Sequence, residues 1–342
     1  MAENRYARQM AFPGIGPQGQ AALREATAVI VGVGATGSVV ASLLVRAGVG
    51  RVRVIDRDIV ELTNLQRQPL YDEADAREAA PKAAAAAAHL RAVNGSVEVE
   101  GIVADLTPRN AGRLLEGATC ILDGTDNFQT RLLVNDVAVA RATPWIYAGV
   151  IASTGHTLAI LPGETACFRC YVGDVPPAGS VETCDTAGVI GPAVLAVGAL
   201  AATEGLKVLA GKRAEVARGL LTFDVWAREF RTIQIPRDPA CPCCALGRRD
   251  FLDAADTTLA AALCGRDAVH IRPPRDGQAL DLDALATRLR ATGDGQVRRG
   301  PHAIRFQASD LDATFFADGR AIVKGTGDVG RARSFYARYI GT

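Results

Sequence analysis

Apolar positions in the first half of the chain alternate between two patterns. Apolar-rich runs at Thr27–Val33, Arg51–Asp56, Val97–Val103, Ala118–Asp123 and Pro144–Val150 read as strands, several of them buried on both faces. Between them, Thr36–Ala47, Pro81–Val93, Arg109–Glu116 and Phe128–Ala142 read as helices. The alanine tract 83–88 makes the second of these the strongest helix former. Strands alternating with helices predict a parallel sheet covered on both faces.

The pattern changes after residue 150. Thr157–Leu161, Leu220–Asp224 and Glu229–Ile235 predict antiparallel strands, with a long helix at Ala193–Ala210. The uncharged run Thr186–Thr203 is broken by Gly188, Gly191, Pro192 and Gly198, so it reads as a buried helix and not as a bilayer span. From about Asp250 a separate unit begins. Its expected strands are Ala268–Arg272, Ala303–Ala308 and those within Ala313–Val323, and its expected helices are Leu282–Ala291 and Val329–Tyr339. The expected division is therefore 1–249 and 250–342, the second a small α+β module.

Length agrees with this division, since 342 residues at roughly 150 per domain give about two domains. Hydrophobic residues at 49% and charged residues at 22% describe an ordinary globular chain, not a disordered one. Lys+Arg 38 against Asp+Glu 37 leaves a net charge of +1, so neither nucleic acid nor a membrane surface is expected as a partner. The first twenty residues lack a basic start followed by an apolar stretch, and no secretory peptide is expected. Eight cysteines then suggest a reducing cytoplasm, where close pairs bind metal more readily than they form disulfides.

The first strand runs into Gly32-Val33-Gly34-Ala35-Thr36-Gly37, a G-x-G-x-x-G loop opening a helix. Gly32 permits the tight turn, Gly34 the approach of backbone to a phosphate, and Gly37 close packing of helix on strand. Asp56 ends the next strand, where an acid can take ribose hydroxyls. Alone, this loop suits an NAD-dependent oxidoreductase. Later residues suit a triphosphate better. Arg67 lies in a polar stretch, Lys82 starts a helix, and Asp126 follows the fourth strand, where ligand groups gather in an open α/β sheet. Two cations and an Mg²⁺ held by Asp126 would neutralise a triphosphate, which NAD chemistry does not need.

The pairs Cys167-x-x-Cys170 and Cys241-x-x-Cys244 offer four thiolates, a set suited to tetrahedral structural Zn²⁺. Cys243 competes as a ligand. Cys120 and Cys264 read as core. Cys184, in a polar segment ahead of Gly188–Pro192, is a candidate reactive thiol.

Taken in order, Arg5–Gln9, Gly32–Ser38, Asp56, Asn64–Gln68, Pro81-Lys82, Thr125–Asn127, the first cysteine pair, the stretch from Thr183-Cys184 to Gly191-Pro192 and the second cysteine pair resemble the ThiF/MoeB/HesA family, relatives of ubiquitin-activating enzymes. The resemblance spans about residues 4–247. It implies a Rossmann-like, doubly wound, mostly parallel sheet continuing into antiparallel strands. It also implies ATP-dependent adenylation of the C-terminal glycine of a ubiquitin-like sulfur carrier ending in Gly-Gly. By the same resemblance, the Gly34-Ala35 backbone cradles phosphate, Asp56 takes the ribose, and Asn64, Arg67 and Lys82 line the phosphates. Asp126, beside Asn127, binds Mg²⁺. Arg8 reaches the nucleotide site of the other subunit of a homodimer, and Cys184 matches a cysteine that can bond to the carrier. Ala35 departs mildly from the family's usual glycine. The C-terminal unit, with Ala317–Ala321 and Ala337–Gly341, looks similar to an appendage on some ThiF-type enzymes of thiazole biosynthesis. The alternatives at this point are an NAD-dependent oxidoreductase and a non-catalytic scaffold that binds a carrier.

Overall fold

The computed structural model describes residues 5–176, 184–254, 260–262, 267–271, 280–308 and 310–340. The chain divides into two compact units, Met1–Glu73 with Lys82–Ala255, and Ala74–Pro81 with Asp256–Thr342.

The first unit is built on eight strands: β1 (Thr27–Val31), β2 (Arg51–Asp56), β3 (Glu98–Val103), β4 (Cys120–Asp123), β5 (Trp145–Ile151), β6 (Thr154–Ile160), β7 (Leu220–Asp224) and β8 (Glu229–Ile233). Their order is β3-β2-β1-β4-β5-β6-β7-β8. The first five run parallel, and from β5 onward every neighbour is antiparallel. The expected doubly wound sheet with an antiparallel extension is what the chain forms. The chain direction reverses order at β1, between β2 and β4, the switch point beside which ligands bind in such sheets.

In chain order the helices up to residue 209 are α1 (Ala7–Ala11), α2 (Gly16–Glu25), α3 (Ala35–Ala47), α4 (Glu73–Arg77), α5 (Lys82–Val93), α6 (Pro108–Leu114), α7 (Phe128–Ala140), α8 (Phe168–Val172), α9 (Cys184–Ala187) and α10 (Gly191–Leu209). Most of α4 belongs to the second unit. The helix α10 is long and apolar enough to cross a membrane by length and composition alone. Its Ala193, Val194, Val197, Ala201 and Ala202 are buried here. Gly198 lets it lie against α3: a Cβ there would fall 2.7 Å from the Val39 side chain. On the opposite face, Trp145, Tyr147, Phe168, Leu132 and Ile160 form a core shared with the cysteine loops. Cys120 is fully buried in β4, as expected of a core cysteine, and burial pushes its thiol up.

The second unit holds β9 (Ala260–Ala262), β10 (Ala268–Ile271), β11 (Gly295–Arg299), β12 (Ala303–Ala308), β13 (Asp312–Phe316) and β14 (Ala321–Lys324). They form one antiparallel sheet ordered β11-β12-β13-β14-β10-β9. Helices α11 (Leu282–Thr292) and α12 (Val329–Ile340) complete the α+β module. Asp281 caps α11 by accepting the Asp283 and Ala284 N–H groups. Leu285, Leu289, Ile304, Phe306, Phe315 and Tyr336 fill its core. Cys264 lies outside the described residues.

Candidate active site

At the carboxyl end of β1 the glycine loop is shaped by backbone meeting backbone. Gly32 has φ +80°, and a Cβ there would lie 2.6 Å from the Gly124 carbonyl oxygen. Loop 32–37 and loop 123–127 therefore touch directly, and the groups read separately along the chain share one end of the sheet. Gly34 differs from its neighbours. A Cβ there would meet only the Gln68 amide nitrogen, at 3.7 Å, so the space beside it is open. Gly34 is also the N-cap of α3. No side chain caps this helix and its first turn has no acid, so its leading N–H groups suit an anion.

Asp56 is buried and fixed by the loops around it. The Val33 N–H donates to Oδ2 at 2.7 Å, and the Asp58 N–H donates to Oδ1 at 2.7 Å. Burial pushes its carboxyl up, and nearby Lys82 opposes that rise. Lys82, the first residue of α5, is only 4% exposed, and its ammonium lies 3.5 Å from Asp58. Tyr71 ties this helix start to the glycine loop, its hydroxyl donating to the carbonyls of Val33 at 2.6 Å and Lys82 at 3.2 Å.

Asn64 is buried and closes a capping box, its side-chain oxygen accepting the Glu61 N–H at 3.1 Å. Arg67 donates to the Thr63 carbonyl at 2.8 Å. Asp126 is exposed at the tip of loop 123–127, and Asn127 caps α7 by accepting the Thr130 N–H at 2.8 Å. Arg8 is exposed on α1. The neighbouring Gln9 holds α1 to the far end of α3, donating to the Ala47 carbonyl at 2.8 Å. Cys184 begins α9, and its side chain lies outside what the structure describes.

Three residues without an expected role complete this end of the sheet. Gln68, 4% exposed, has its amide nitrogen beside Gly34 and a side-chain oxygen with no partner among the described residues. Arg57 bonds Asp105 at 3.2 Å. Burial opposes its charge, but Asp105, Asp58, Asp126 and Asp56 outweigh burial and hold it protonated. Arg131 in the first turn of α7 donates to Asp123 at 2.9 Å and to the Thr125 carbonyl at 2.6 Å. Each is an ordinary polar residue in the sequence. Only the Gln68 position, inside a polar motif already singled out, carried a signal.

The residues fit a nucleotide: an open glycine beside an uncapped helix start, an orphaned buried amide oxygen, a fixed acid and a buried lysine. They also fit a metal at the cysteines. The sulfurs of Cys167, Cys170, Cys241 and Cys244 all lie within 4.8 Å of one another, with Cys167–Cys170 at 3.8 Å, Cys167–Cys241 at 3.6 Å and Cys170–Cys244 at 3.5 Å. Four thiolates at 2.3 Å around tetrahedral zinc sit about 3.8 Å apart. Burial pushes the Cys170 and Cys244 thiols up, so a cation bound there would displace their protons. Cys243 is not one of the four, but its side chain bonds that of Cys167.

A doubly wound sheet with a glycine loop that fits a nucleotide and a four-cysteine cluster that could hold a metal is the class that fold and site define. The ThiF family model matches residues 6–243, and the chain belongs to that family. It is 45% identical over 340 residues to the sulfur carrier protein ThiS adenylyltransferase of Bacillus subtilis (strain 168), covering 98% of this chain and 99% of that one. It is 42% identical over 246 residues to a sulfur carrier protein adenylyltransferase of Thermus thermophilus, covering 70% of this chain and 90% of that one. Among solved structures, E. coli MccB with ATP shares the fold at TM-score 0.62 and 23% identity, over 71% of this chain and 75% of that one.

Proposed function

We propose that the chain adenylates the C-terminal glycine carboxylate of a ubiquitin-fold sulfur carrier ending in Gly-Gly, using Mg-ATP, for thiamine thiazole formation. The end-to-end likeness to the Bacillus adenylyltransferase carries this reading. In the reaction a carboxylate oxygen bonds to the α-phosphorus as the α–β bridging bond breaks, and pyrophosphate leaves with that electron pair. Carboxylate and triphosphate repel each other, so the site must screen charge and hold the pair in line. The α3 N-terminus, Lys82 and Arg67 supply positive potential, while Asp56 takes the ribose. Asp126 would hold Mg²⁺, which adds charge neutralisation when bound. A carboxylate is already ionised, so no general base is required. Pyrophosphate exchange that depends on a Gly-Gly carrier tests the reading. Absence of exchange with every cognate carrier would sink it, and comparing ThiS-like with MoaD-like carriers separates the pathways.

Arg8 supports a homodimer. Its helix is tied to the carboxyl end of α3, whose 13 residues span about 20 Å, so Arg8 is too far to serve the glycine loop of its own chain. Residues 1–249 are taken as the adenylation unit with structural zinc at Cys167, Cys170, Cys241 and Cys244, and 250–342 as an appendage. A four-thiolate site suits the reducing cytoplasm.

Two substitutions separate the roles. Asp126→Ala is expected to lower exchange by about 100-fold or more with the fold kept, as loss of one electrostatic stabiliser does. Circular dichroism and exchange at saturating Mg²⁺ check this, and wild-type exchange refutes it. Cys184→Ala is expected to retain exchange and to lose at most later transfer. Loss of exchange in that variant would remove the distinction.

A further inference from the structure

The metal region holds a fifth cysteine, Cys243, between two of the clustered ones. It is fully buried. The Asn135 side-chain N–H donates to its sulfur at 3.2 Å. Arg249 donates to the Cys243 carbonyl at 2.9 Å and lies 3.6 Å from the same sulfur. Asn135 is also fully buried, and its side-chain oxygen accepts the Phe168 N–H at 2.8 Å. Phe168 lies inside the first cysteine pair and Cys243 inside the second. One side chain of α7 thus grips both loops, one by backbone and the other by sulfur.

Asp136, next on α7, accepts the Phe251 N–H at 2.9 Å and the Leu252 N–H at 3.3 Å, and so fixes the chain that leaves the second loop. Both loops are held to one rigid helix by groups that are not among the four clustered sulfurs. We infer that Asn135 and Cys243 form a latch that sets the spacing of the two cysteine loops for the metal, with Cys243 a positioning residue and not a ligand. The inference rests on the reading of the four cysteines as a metal site. Partners one step removed from the ligands commonly govern how firmly a metal is kept.

The test uses the full chain purified with zinc, alongside Cys243→Ala, Cys243→Ser and Asn135→Asp. Zinc per chain, the rate of zinc transfer to an excess chelating dye, and the thiolate-to-metal band of the cobalt-substituted protein are measured. Cys243→Ala and Asn135→Asp are expected to bind one zinc per chain and to release it about 10–100-fold faster than wild type. The serine variant, which keeps an acceptor for Asn135, is expected to recover part of that loss. The cobalt band is expected to stay unchanged, since all four ligands remain. Wild-type release rates in both variants would overturn the latch. A weaker cobalt band in Cys243→Ala would make Cys243 a ligand and overturn it as well. Asn135→Asp keeps the acceptor for Phe168 and loses the amide donor to sulfur, but adds a buried carboxyl beside Asp136, so its release rate is read together with Cys243→Ser, which leaves Asn135 unchanged and tests the latch even where Cys243→Ala fails to fold. A wild-type chain purified without zinc, and taking up none, would remove the metal reading itself and the latch with it.

Discussion

Gly37→Ala is expected to abolish measurable ATP binding and to lower stability by about 3 kcal/mol, the upper end of ordinary overpacking. The added methyl would lie 2.0 Å from the Gly32 carbonyl oxygen and 3.4 Å from the Gly124 Cα. Both neighbours are backbone, so no rotamer change relieves the clash. Nor can they drift: the Gly32 N–H donates to the Ile55 carbonyl at 2.7 Å and the Gly124 N–H to the Val31 carbonyl at 2.8 Å. Relief requires opening the turn from β1 into α3, and that turn is the proposed phosphate cradle. Gly34→Ala is the informative control. Its methyl meets nothing nearer than the Gln68 amide at 3.7 Å, but it projects into the space a phosphate would use. Its expected defect is therefore in ATP affinity. Titration calorimetry and urea unfolding of both variants check this. A Gly37→Ala protein with normal ATP affinity and stability would refute the close-approach reading of that glycine.

The glycine loop was legible because its signal is local. Three glycines at fixed spacing after an apolar strand leave few other conformations. The sheet was legible for the same reason: buried parallel strands read as short apolar runs, and β1, β2, β4 and β5 all fall where those runs predict. Exposed strands gave less. In β11, Gly295–Arg299, the only apolar side chain is Val297, and nothing in hydropathy marks it. The short helices α1 and α8 lie below the length at which periodicity shows. In the candidate site, the reading singled out residues whose type announces chemistry, such as Asp56, Lys82 and the paired cysteines. It missed those whose role depends on partners distant in sequence. Asn135 looks like any polar residue on a helix until Phe168 and Cys243 are seen against it. Spacing singled out Cys241 and Cys244, whose x-x interval matches that of Cys167 and Cys170, but it left open whether adjacent Cys243 joins them.

Arg131 is the strongest case of a residue hidden by its type, and it carries the second large prediction. It is buried on α7, where burial opposes its charge and Asp123 outweighs burial to hold it protonated. Its guanidinium donates to Asp123, which is 2% exposed, and to the carbonyls of Thr125 at 2.6 Å and Ala148 at 3.2 Å. It also lies over the Tyr147 ring at 5.0 Å. Arg131→Met keeps most of the volume and strands the Asp123 carboxylate in the core. Breaking one half of a buried ion pair costs about 3–5 kcal/mol, because the remaining charge has no water to return to. Urea unfolding of Arg131→Met should show that loss. Adding Asp123→Asn should recover much of it, since the neutral amide oxygen can still accept the Thr125 N–H that Asp123 now holds at 2.9 Å. Activity should not recover in parallel. Arg131 fixes the Thr125 carbonyl, one residue before Asp126, so the double variant should fold yet show a raised KM for Mg-ATP in pyrophosphate exchange. If the double variant regains both stability and wild-type KM, Arg131 supports only the core, and the position of Asp126 is set by the Asn127 cap alone.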